Sequence, residues 1–228
     1  MSEGEKPHAD LRVRLISAAV MLGITGLEIW MGGWMFGLFV GLIALGLLWE
    51  WWGLARRIGQ SPVKRVLVMV AGLLYIGIAS TSLLALRAEV IDLLAVIACV
   101  IATDAGAYFA GRAIGGPKIA PSISPSKTWA GLGGGMLASA LTMIAVFEYD
   151  ADYPLLWWLM FAVLGACLAV VAQAGDFLES GMKRRAGVKD SGHLIPGHGG
   201  LLDRLDGLLA VAAVMGLLKL LTRGMGGA

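Results

Sequence analysis

Charged residues are scarce in this chain. Only 15% of its 228 residues are charged and 58% are hydrophobic, whereas a soluble domain is typically about 25% charged and about 45–50% apolar. The excess of apolar surface needs a second solvent, and several windows exceed the roughly 18 apolar residues that suggest a membrane span. The composition therefore excludes an ordinary soluble domain and predicts an all-α, polytopic bundle of membrane helices.

Cysteines are few, and several common enzyme motifs are missing. Cys99 and Cys167 both lie in apolar runs, which indicates buried thiols rather than a disulfide or a metal pair. The sequence contains no G-x-x-x-x-G-K-[ST] motif, no dinucleotide-binding fingerprint and no nucleophile elbow. A phosphoryl or nucleotidyl transfer needs alignment and charge but no protein nucleophile, so these absences do not exclude one.

Hydrophobic runs predict seven membrane helices. They lie at about residues 15–29, 33–53, 64–86, 90–111, 128–147, 154–180 and 200–222. In the third, Gly72, Gly77 and the cluster Ser80-Thr81-Ser82 are potential helix breakers. We expect an N-terminal group of about three helices in residues 1–88, and a second membrane region in residues 89–228 that contains the motif-bearing loop 175–206.

Small residues and basic residues indicate how these helices are arranged. Glycines at 131, 133, 134 and 135 predict close approach between helices. With seven spans, the 18 lysines and arginines divide 15 to 3 between the two sides of the membrane. Because the side rich in Lys and Arg is normally cytoplasmic, we expect a multi-pass protein of the inner (plasma) membrane. Its N-terminus and the loops 112–127 and 181–200 would face the cytosol.

Two charged segments lie at predicted helix ends on that side. In TDAGAYFAGR (103–112), the spacing puts Asp104, Tyr108 and Gly111 on one helix face. An acid inside a membrane helix favours function, although a structural hydrogen bond is the alternative. In PKIAPSISPSKTWAG (117–131), Ser124 and Ser126 are candidates for the cap of the next helix. Free N–H groups there, with Lys127, would suit a phosphate. An ordinary loop is the alternative for this second segment.

The densest cluster of charge lies between residues 176 and 206. Asp176 and Ser180 are four residues apart and share a helix face, with Glu179 adjacent. Asp203 and Asp206 share another face, while Arg204 points elsewhere. Between these pairs lies a glycine-rich run at 197–200, whose N–H groups beside a helix start can form an anion-binding nest.

Together these residue types indicate a site for a phosphate–metal complex. Mg²⁺ takes one or two protein carboxylates and leaves its other positions to water and phosphate, so Asp176 with Asp203 or Asp206 are the candidate ligands. The cations expected to neutralise polyphosphate are Lys183, Arg184, Lys189 and Arg204. Three simpler interpretations remain: a basic membrane anchor, structural ion pairs, and a zinc site at His193 and His198 that lacks further ligands.

At this point the chain resembles the phosphatidate cytidylyltransferases, also called CDP-diacylglycerol synthases. Their signature, S-x-x-K-R-x4-K-D-x-G-x4-P-G-H-G-G-x-x-D-R-x-D, is matched without a gap by Ser180, Lys183, Arg184, Lys189, Asp190, Gly192, Pro196, Gly197, His198, Gly199, Gly200, Asp203, Arg204 and Asp206. The segments DAGAYFAGR and SPSKTWAG also resemble family motifs, in the expected order. The likeness is strong over about residues 100–222 and weaker in RLISAAV and LWEWWGL near the start.

The resemblance implies a reaction in phospholipid biosynthesis. CTP and phosphatidate would give CDP-diacylglycerol and pyrophosphate, with Mg²⁺, and with K⁺ as a further cation, at Asp176 and Asp203. Asp206 would assist, and the four cations above would hold phosphates. Gly197, His198, Gly199 and Gly200 would form the cradle of the CTP triphosphate. Residues expected to contact substrate or support the site are Ser124, Lys127, Thr128, Ser180, Asp190, Asp104 and Tyr108.

Three other functions compete with this hypothesis. A CTP-dependent lipid-alcohol kinase, or another lipid cytidylyltransferase, would use a similar site. An ion-coupled transporter would use Asp104 and Asp176 inside the membrane, but it predicts an inverted repeat and acids at mid-helix, neither of which is present in the sequence. A membrane scaffold leaves the dense charged loop unexplained. We expect CTP, a phosphatidate lipid and the membrane as partners, no nucleic acid, and a homodimer as an open alternative.

Overall fold

A computed structural model describes residues 6–59, 61–148, 153–197 and 199–225, with the side chains of residues 12–219 inside those ranges. The described part contains seven helices and one β-hairpin. The helices are α1 Lys6–Met31, α2 Gly33–Ile58, α3 Pro62–Leu86, α4 Val90–Ala113, α5 Trp129–Phe147, α6 Leu155–Ala186 and α7 Leu202–Met225. The hairpin strands are β1 Lys118–Ala120 and β2 Ser124–Thr128. The prediction of an all-α membrane protein is confirmed.

Six helices, α1 to α6, are long and apolar enough to cross a membrane. Large apolar side chains on their outer faces are exposed, for example Leu22 at 72% and Trp30 at 80%, as expected where lipid rather than water covers the surface. The chain is therefore a multi-pass membrane protein. Among the described residues α7 is not one of these six, so a total of seven spans stays a prediction.

Helix α7 nevertheless runs along the bundle from end to end. At its start, Glu50 of α2 accepts hydrogen bonds from the N–H groups of Leu201 and Leu202. Towards its other end, Lys219 Nζ donates to the Ala85 carbonyl at 3.1 Å and pairs with Asp92 at 3.6 Å. Helix α7 therefore reaches from the end of the bundle where Glu50 lies to the opposite end, where Ala85 and Asp92 lie.

Glycines allow the close approach of α4 and α5. Four glycines between 131 and 135 were predicted to do so, and three of them are in close contact. A Cβ added at Gly131, Gly134 or Gly135 would approach a backbone carbonyl of α4 to between 2.7 and 2.9 Å. Gly133, in contrast, has nothing within 4 Å of an added Cβ. The backbones of α4 and α5 therefore lie nearly in contact, which membrane helices achieve with small residues.

Two expectations about helix ends and breaks are wrong. Helix α3 is continuous through its polar cluster, because Thr81 Oγ1 donates to the Gly77 carbonyl at 2.9 Å and Ser82 Oγ donates to that of Ile78 at 2.7 Å. The N-cap of α5 is Thr128, whose hydroxyl accepts from the Gly131 N–H at 3.0 Å. Neither Ser124 nor Ser126 caps α5, because both lie in strand β2.

The predicted burial of both cysteines is half right. Both thiols are free, and Cys99 is buried in the contact between α4 and α5, where its Sγ lies 3.9 Å from the Ser139 carbonyl. Cys167 is exposed on α6. In a membrane helix an apolar run does not by itself indicate burial in protein, because lipid can cover the same side chains.

Candidate active site

The main cavity lies where α4 ends and α5 begins, and α6 and α7 complete its wall. It has a volume of about 530 Å³. Three side chains from the end of α4 and the hairpin, Arg112, Ser126 and Lys127, line it together with Gln173 of α6. A space of this size, bounded by charged groups from four different elements, is large enough for a small-molecule substrate.

Three carboxylates converge in this region. One oxygen of each of Asp176, Glu179 and Asp206 lies within 4.8 Å of the others. Asp176 and Glu179 are one turn apart on α6, and Asp206 comes from the start of α7. Gly175 permits this approach, because a Cβ there would lie 2.5 Å from the Asp206 carbonyl oxygen. The position of the three acids therefore depends on the contact between α6 and α7.

Two lysines offset this negative charge. Lys183 Nζ lies 2.6 Å from Glu179 Oε2 and 2.7 Å from Asp203 Oδ1, so it bridges α6 and α7. Lys127, from the hairpin, pairs with Asp176. Ser180 Oγ donates to Asp176 Oδ1 at 3.2 Å, which confirms that these two residues share a helix face. The site therefore alternates anionic and cationic groups across three elements.

Asp203 is held more firmly than the other carboxylates. Its Oδ2 accepts from the Ser191 N–H at 2.9 Å, from the Ser191 hydroxyl at 3.0 Å and from the Gly200 N–H at 3.0 Å. Its Oδ1 accepts from Lys183. Both oxygens thus have donors that favour an ionised carboxylate, and Asp203 fixes the lysine that faces the cavity.

Eight of the predicted site residues meet at this cavity. Those that line it are Asp104, Tyr108, Lys127, Thr128, Asp176, Lys183, Asp203 and Asp206. Asp104, Tyr108 and Gly111 all line it, as their helical spacing predicts. Next to it, Ser124 is buried at the start of β2, and Arg184 Nε donates to the Ile123 carbonyl at 3.3 Å, which ties α6 to the hairpin turn.

Other predicted residues lie elsewhere. Lys189 and Asp190 line a second cavity of about 270 Å³, against the end of α2. Arg204 is exposed in the first turn of α7. His198 lies outside the described residues. The roles predicted for these residues in binding substrate stay predictions.

The glycine-rich run does not present an open nest in its described part. Gly197 and Gly199 adopt left-handed backbone conformations, with φ of 75° and 85°, as only glycine does readily. The Gly200 N–H, however, donates to Asp203, and the next two N–H groups donate to Glu50. None of Gly197, Gly199 and Gly200 lines the main cavity. The cradle for a triphosphate stays a prediction.

Several residues at the site were not predicted from the sequence. Arg112 and Gln173 line the cavity, and Ser191 and Glu50 hold its wall. Glu50 carried a signal, because it is an acid inside the apolar run LWEWWGL, and such acids are costly unless they are paired or functional. Ser191 carried none, since a serine in a polar loop is ordinary.

The donor set fits a divalent cation. Carboxylate oxygens are the ligands that Mg²⁺ prefers, and three of them converge here. Within the described part of the chain, the buried Oε1 of Glu179 has no hydrogen-bond partner. A buried carboxylate oxygen without a partner is unfavourable, and a bound cation would satisfy it. The residues of the site are therefore compatible with a metal ion beside a phosphate.

Fold and site together define the class: a multi-pass membrane protein with a charged, metal-compatible cavity at the ends of its helices. A family model described as the cytidylyltransferase family matches residues 57–221, and the chain belongs to that family. The chain is similar to the phosphatidate cytidylyltransferase of Brucella suis biovar 1 (strain 1330), with 36% identity over 91% of this chain and 92% of the relative.

A second relative is the phosphatidate cytidylyltransferase of Rickettsia bellii (strain RML369-C). It is 32% identical over 92% of this chain and 91% of its own length. The phosphatidate cytidylyltransferase of Rickettsia typhi (strain Wilmington) is 30% identical over 94% of this chain and 96% of its own length. The resemblance noted in the sequence is confirmed, and the chain is an enzyme of the nucleotidyltransferase class.

Proposed function

We propose that this chain is a phosphatidate cytidylyltransferase, which converts CTP and phosphatidate to CDP-diacylglycerol and pyrophosphate. The observation that carries the proposal is the position and charge of the main cavity. Lysines 127 and 183 and at least three carboxylates meet where apolar helices end. A lipid phosphate lies at that level of a membrane, and a soluble nucleotide can reach it from the adjacent water.

The reaction needs alignment more than it needs a protein nucleophile. A phosphate oxygen of phosphatidate attacks the α-phosphorus of CTP, a new phosphorus–oxygen bond forms, and the bond to the β-phosphate oxygen breaks to release pyrophosphate. The phosphatidate anion is itself the nucleophile, so no general base is required. Lys127, Lys183 and Arg112 contact the phosphates and offset the charge that develops on the leaving pyrophosphate.

Mg²⁺ is the cation that we propose at the carboxylates. The geometry supports Asp176 as a ligand, with Glu179 and Asp206 beside it. Asp203, which the resemblance pairs with Asp176, stays a predicted ligand, because in this structure its oxygens face Lys183, Ser191 and Gly200. When bound, the cation would neutralise phosphate charge and polarise the attacked phosphorus. A K⁺ ion beside it remains part of the proposal.

The remaining predicted residues are assigned supporting roles. Thr128 and Ser124 shape the hairpin side of the cavity, and Ser180 orients the Asp176 carboxylate. Asp104 and Tyr108 form the wall on α4. We further propose that the cavity faces the cytosol across the inner (plasma) membrane, with α7 as a seventh span, because basic residues concentrate at this end of the helices.

A product assay tests the proposed function. The purified protein in detergent receives CTP, Mg²⁺ and phosphatidate, and mass spectrometry measures CDP-diacylglycerol and pyrophosphate. We expect product from the wild type, and a loss of at least about 100-fold in Asp176→Asn, because this change removes the anionic ligand that would hold the cation beside the phosphates. Asp92→Asn, at the far end of the bundle, is the matched control and should stay active. Release of CDP without a cytidylylated lipid would contradict the proposal.

The same assay compares the two candidate ligand sets. Asp203→Asn and Asp206→Asn remove the same charge at positions three residues apart on α7. If Asp206 is a ligand and Asp203 only holds Lys183, Asp206→Asn should raise the Mg²⁺ concentration that gives half-maximal rate more than Asp203→Asn does. The opposite order would restore Asp203 as the ligand.

A further inference from the structure

Glu50 is a buried acid that the proposed reaction does not yet use. It lies on α2, is only 3% exposed, and precedes residue 57, where the match to the cytidylyltransferase family begins. A buried carboxylate is costly unless hydrogen bonds satisfy it. The groups that stabilise the buried Glu50 carboxylate therefore indicate why an acid is placed there.

The partners of Glu50 all belong to the loop and helix start that carry Asp203. Glu50 Oε1 accepts from the Leu201 N–H at 3.0 Å, and Oε2 accepts from the Leu202 N–H at 2.8 Å. These N–H groups begin α7 and have no acceptor within the helix, and the positive end of the helix dipole favours an anion there. Glu50 therefore anchors the start of α7 to α2.

Ser191 connects Glu50 to the cavity. Its hydroxyl lies 3.1 Å from Glu50 Oε2 and 3.0 Å from Asp203 Oδ2. A hydroxyl has one proton, so it donates to one of these carboxylates at a time. The Ser191 N–H donates to Asp203 in either case. Ser191 is therefore held between two carboxylates, one on each side of the cavity wall.

Two glycines of the signature are explained by this arrangement. A Cβ at Gly192 would collide with Glu50 Oε1. A Cβ at Gly200 would collide with Ser191 Oγ and would lie 2.8 Å from both Glu50 Oε2 and Asp203 Oδ2. Neither glycine is among the left-handed ones, so backbone conformation does not require them. Gly192 is required by the close approach of the Glu50 carboxylate, and Gly200 by the close packing of Ser191 between Glu50 and Asp203.

We propose that Glu50 is a positioning residue for the main cavity: it fixes the start of α7 and Ser191, and through them the Asp203 carboxylate that holds Lys183. The N-terminal helices are then part of the functional site rather than only a membrane anchor. The kinetic part of this proposal rests on the proposed function, whereas the structural part does not.

The experiment combines kinetics with hydrogen exchange on the full-length protein in detergent. The variants are Glu50→Gln, Ser191→Ala and the double variant. Glu28→Gln is the matched control, because Glu28 is also an acid in a membrane helix and its buried Oε2 has no hydrogen-bond partner within the described residues. We measure kcat/KM for CTP per folded molecule, and mass spectrometry follows amide exchange in the segment 199–204.

Glu50→Gln should lower kcat/KM by about 10- to 100-fold, as is typical when a partner of a site residue is lost, and exchange at Leu201 and Leu202 should speed up. Because Ser191 acts together with Glu50, the double variant should lose little more than the worse single variant. Glu28→Gln should match the wild type in both measurements.

Three results would overturn the proposal. These are wild-type kcat/KM in folded Glu50→Gln, losses that multiply in the double variant, and unchanged exchange in segment 199–204. If Glu50→Gln fails to fold, Glu50→Asp keeps the charge with a shorter reach, and it should lower kcat/KM without lowering the yield. If the wild type makes no CDP-lipid, the proposed function fails, and the exchange measurement still decides whether Glu50 holds α7.

Discussion

Replacing Gly175 with alanine would place a methyl group in the closest contact between α6 and α7. The added Cβ would lie 2.5 Å from the Asp206 carbonyl oxygen and 2.7 Å from the Ala210 Cβ, whereas ordinary contacts begin at 3.4 Å. One obstacle is backbone, which cannot rotate away. The two helices must therefore separate locally by about 0.9 Å along that line.

This separation acts directly on the proposed site. Asp176 follows Gly175 in the chain, and Asp206 is the residue that is pushed away, so their oxygens must move apart. A misplacement of about 1 Å can cost roughly 100-fold in rate, and overpacking of this kind costs about 1–3 kcal/mol of stability. We therefore expect Gly175→Ala to fold with a lower Tm and to lose about 100-fold in kcat.

The assay is the initial rate of CDP-lipid formation, with thermal unfolding in detergent as the measure of folding. Gly133→Ala is the matched control, because it is also a glycine in a membrane helix and has nothing within 4 Å of the added Cβ. It should retain wild-type kcat. If Gly175→Ala kept its kcat within threefold of the wild type, the contact between α6 and α7 would not set the carboxylate positions, and the reasoning would be refuted.

Three further perturbations follow from the same geometry. Lys127→Met should raise the KM for CTP about tenfold or more, since a hydrogen bond to a charged group contributes about 1.5–3 kcal/mol. Lys118→Met is the control and should leave this KM unchanged, because among the described residues Lys118 Nζ donates only to the Ser126 carbonyl. Initial rates over a series of CTP concentrations distinguish the two variants. Thr128→Ala removes the N-cap of α5 and should lower stability by about 0.5–2 kcal/mol, which thermal unfolding measures; an unchanged Tm would contradict this role. A chelator should abolish turnover and added Mg²⁺ should restore it, and turnover that resists chelation would argue against the carboxylate site.

Helix positions could be predicted because the membrane imposes them. Each predicted helix has a counterpart, since apolar length is a direct physical requirement of spanning. Helix ends were less predictable. Helix α6 continues to Ala186, past the charged residues after Ser180, and stops at Gly187 with φ of 68°. Charged side chains end a hydrophobic run but not a helix, and only the left-handed glycine marks the true stop.

The site was predictable along each helix but not between helices. The spacing of Asp176 and Ser180 indicated their shared face, and they are hydrogen-bonded. The pairing of Lys127 with Asp176 and that of Glu50 with the start of α7 join residues far apart in sequence. The periodic spacing of residues along a single helix gives no information about contacts between helices. The hairpin at 118–128 was missed for a related reason, because its second strand, SPSKT, has neither alternation nor β-branched enrichment.

The most direct test of the account follows the α-phosphate of CTP. The purified protein is incubated with Mg²⁺, phosphatidate and CTP that carries ³²P in either the α- or the γ-phosphate, and the lipid phase is extracted. If the main cavity transfers a cytidylyl group, the lipid will carry label from the α-phosphate and none from the γ-phosphate. Label in the lipid from the γ-phosphate would indicate a kinase, and no labelled lipid from either nucleotide would contradict the proposed reaction.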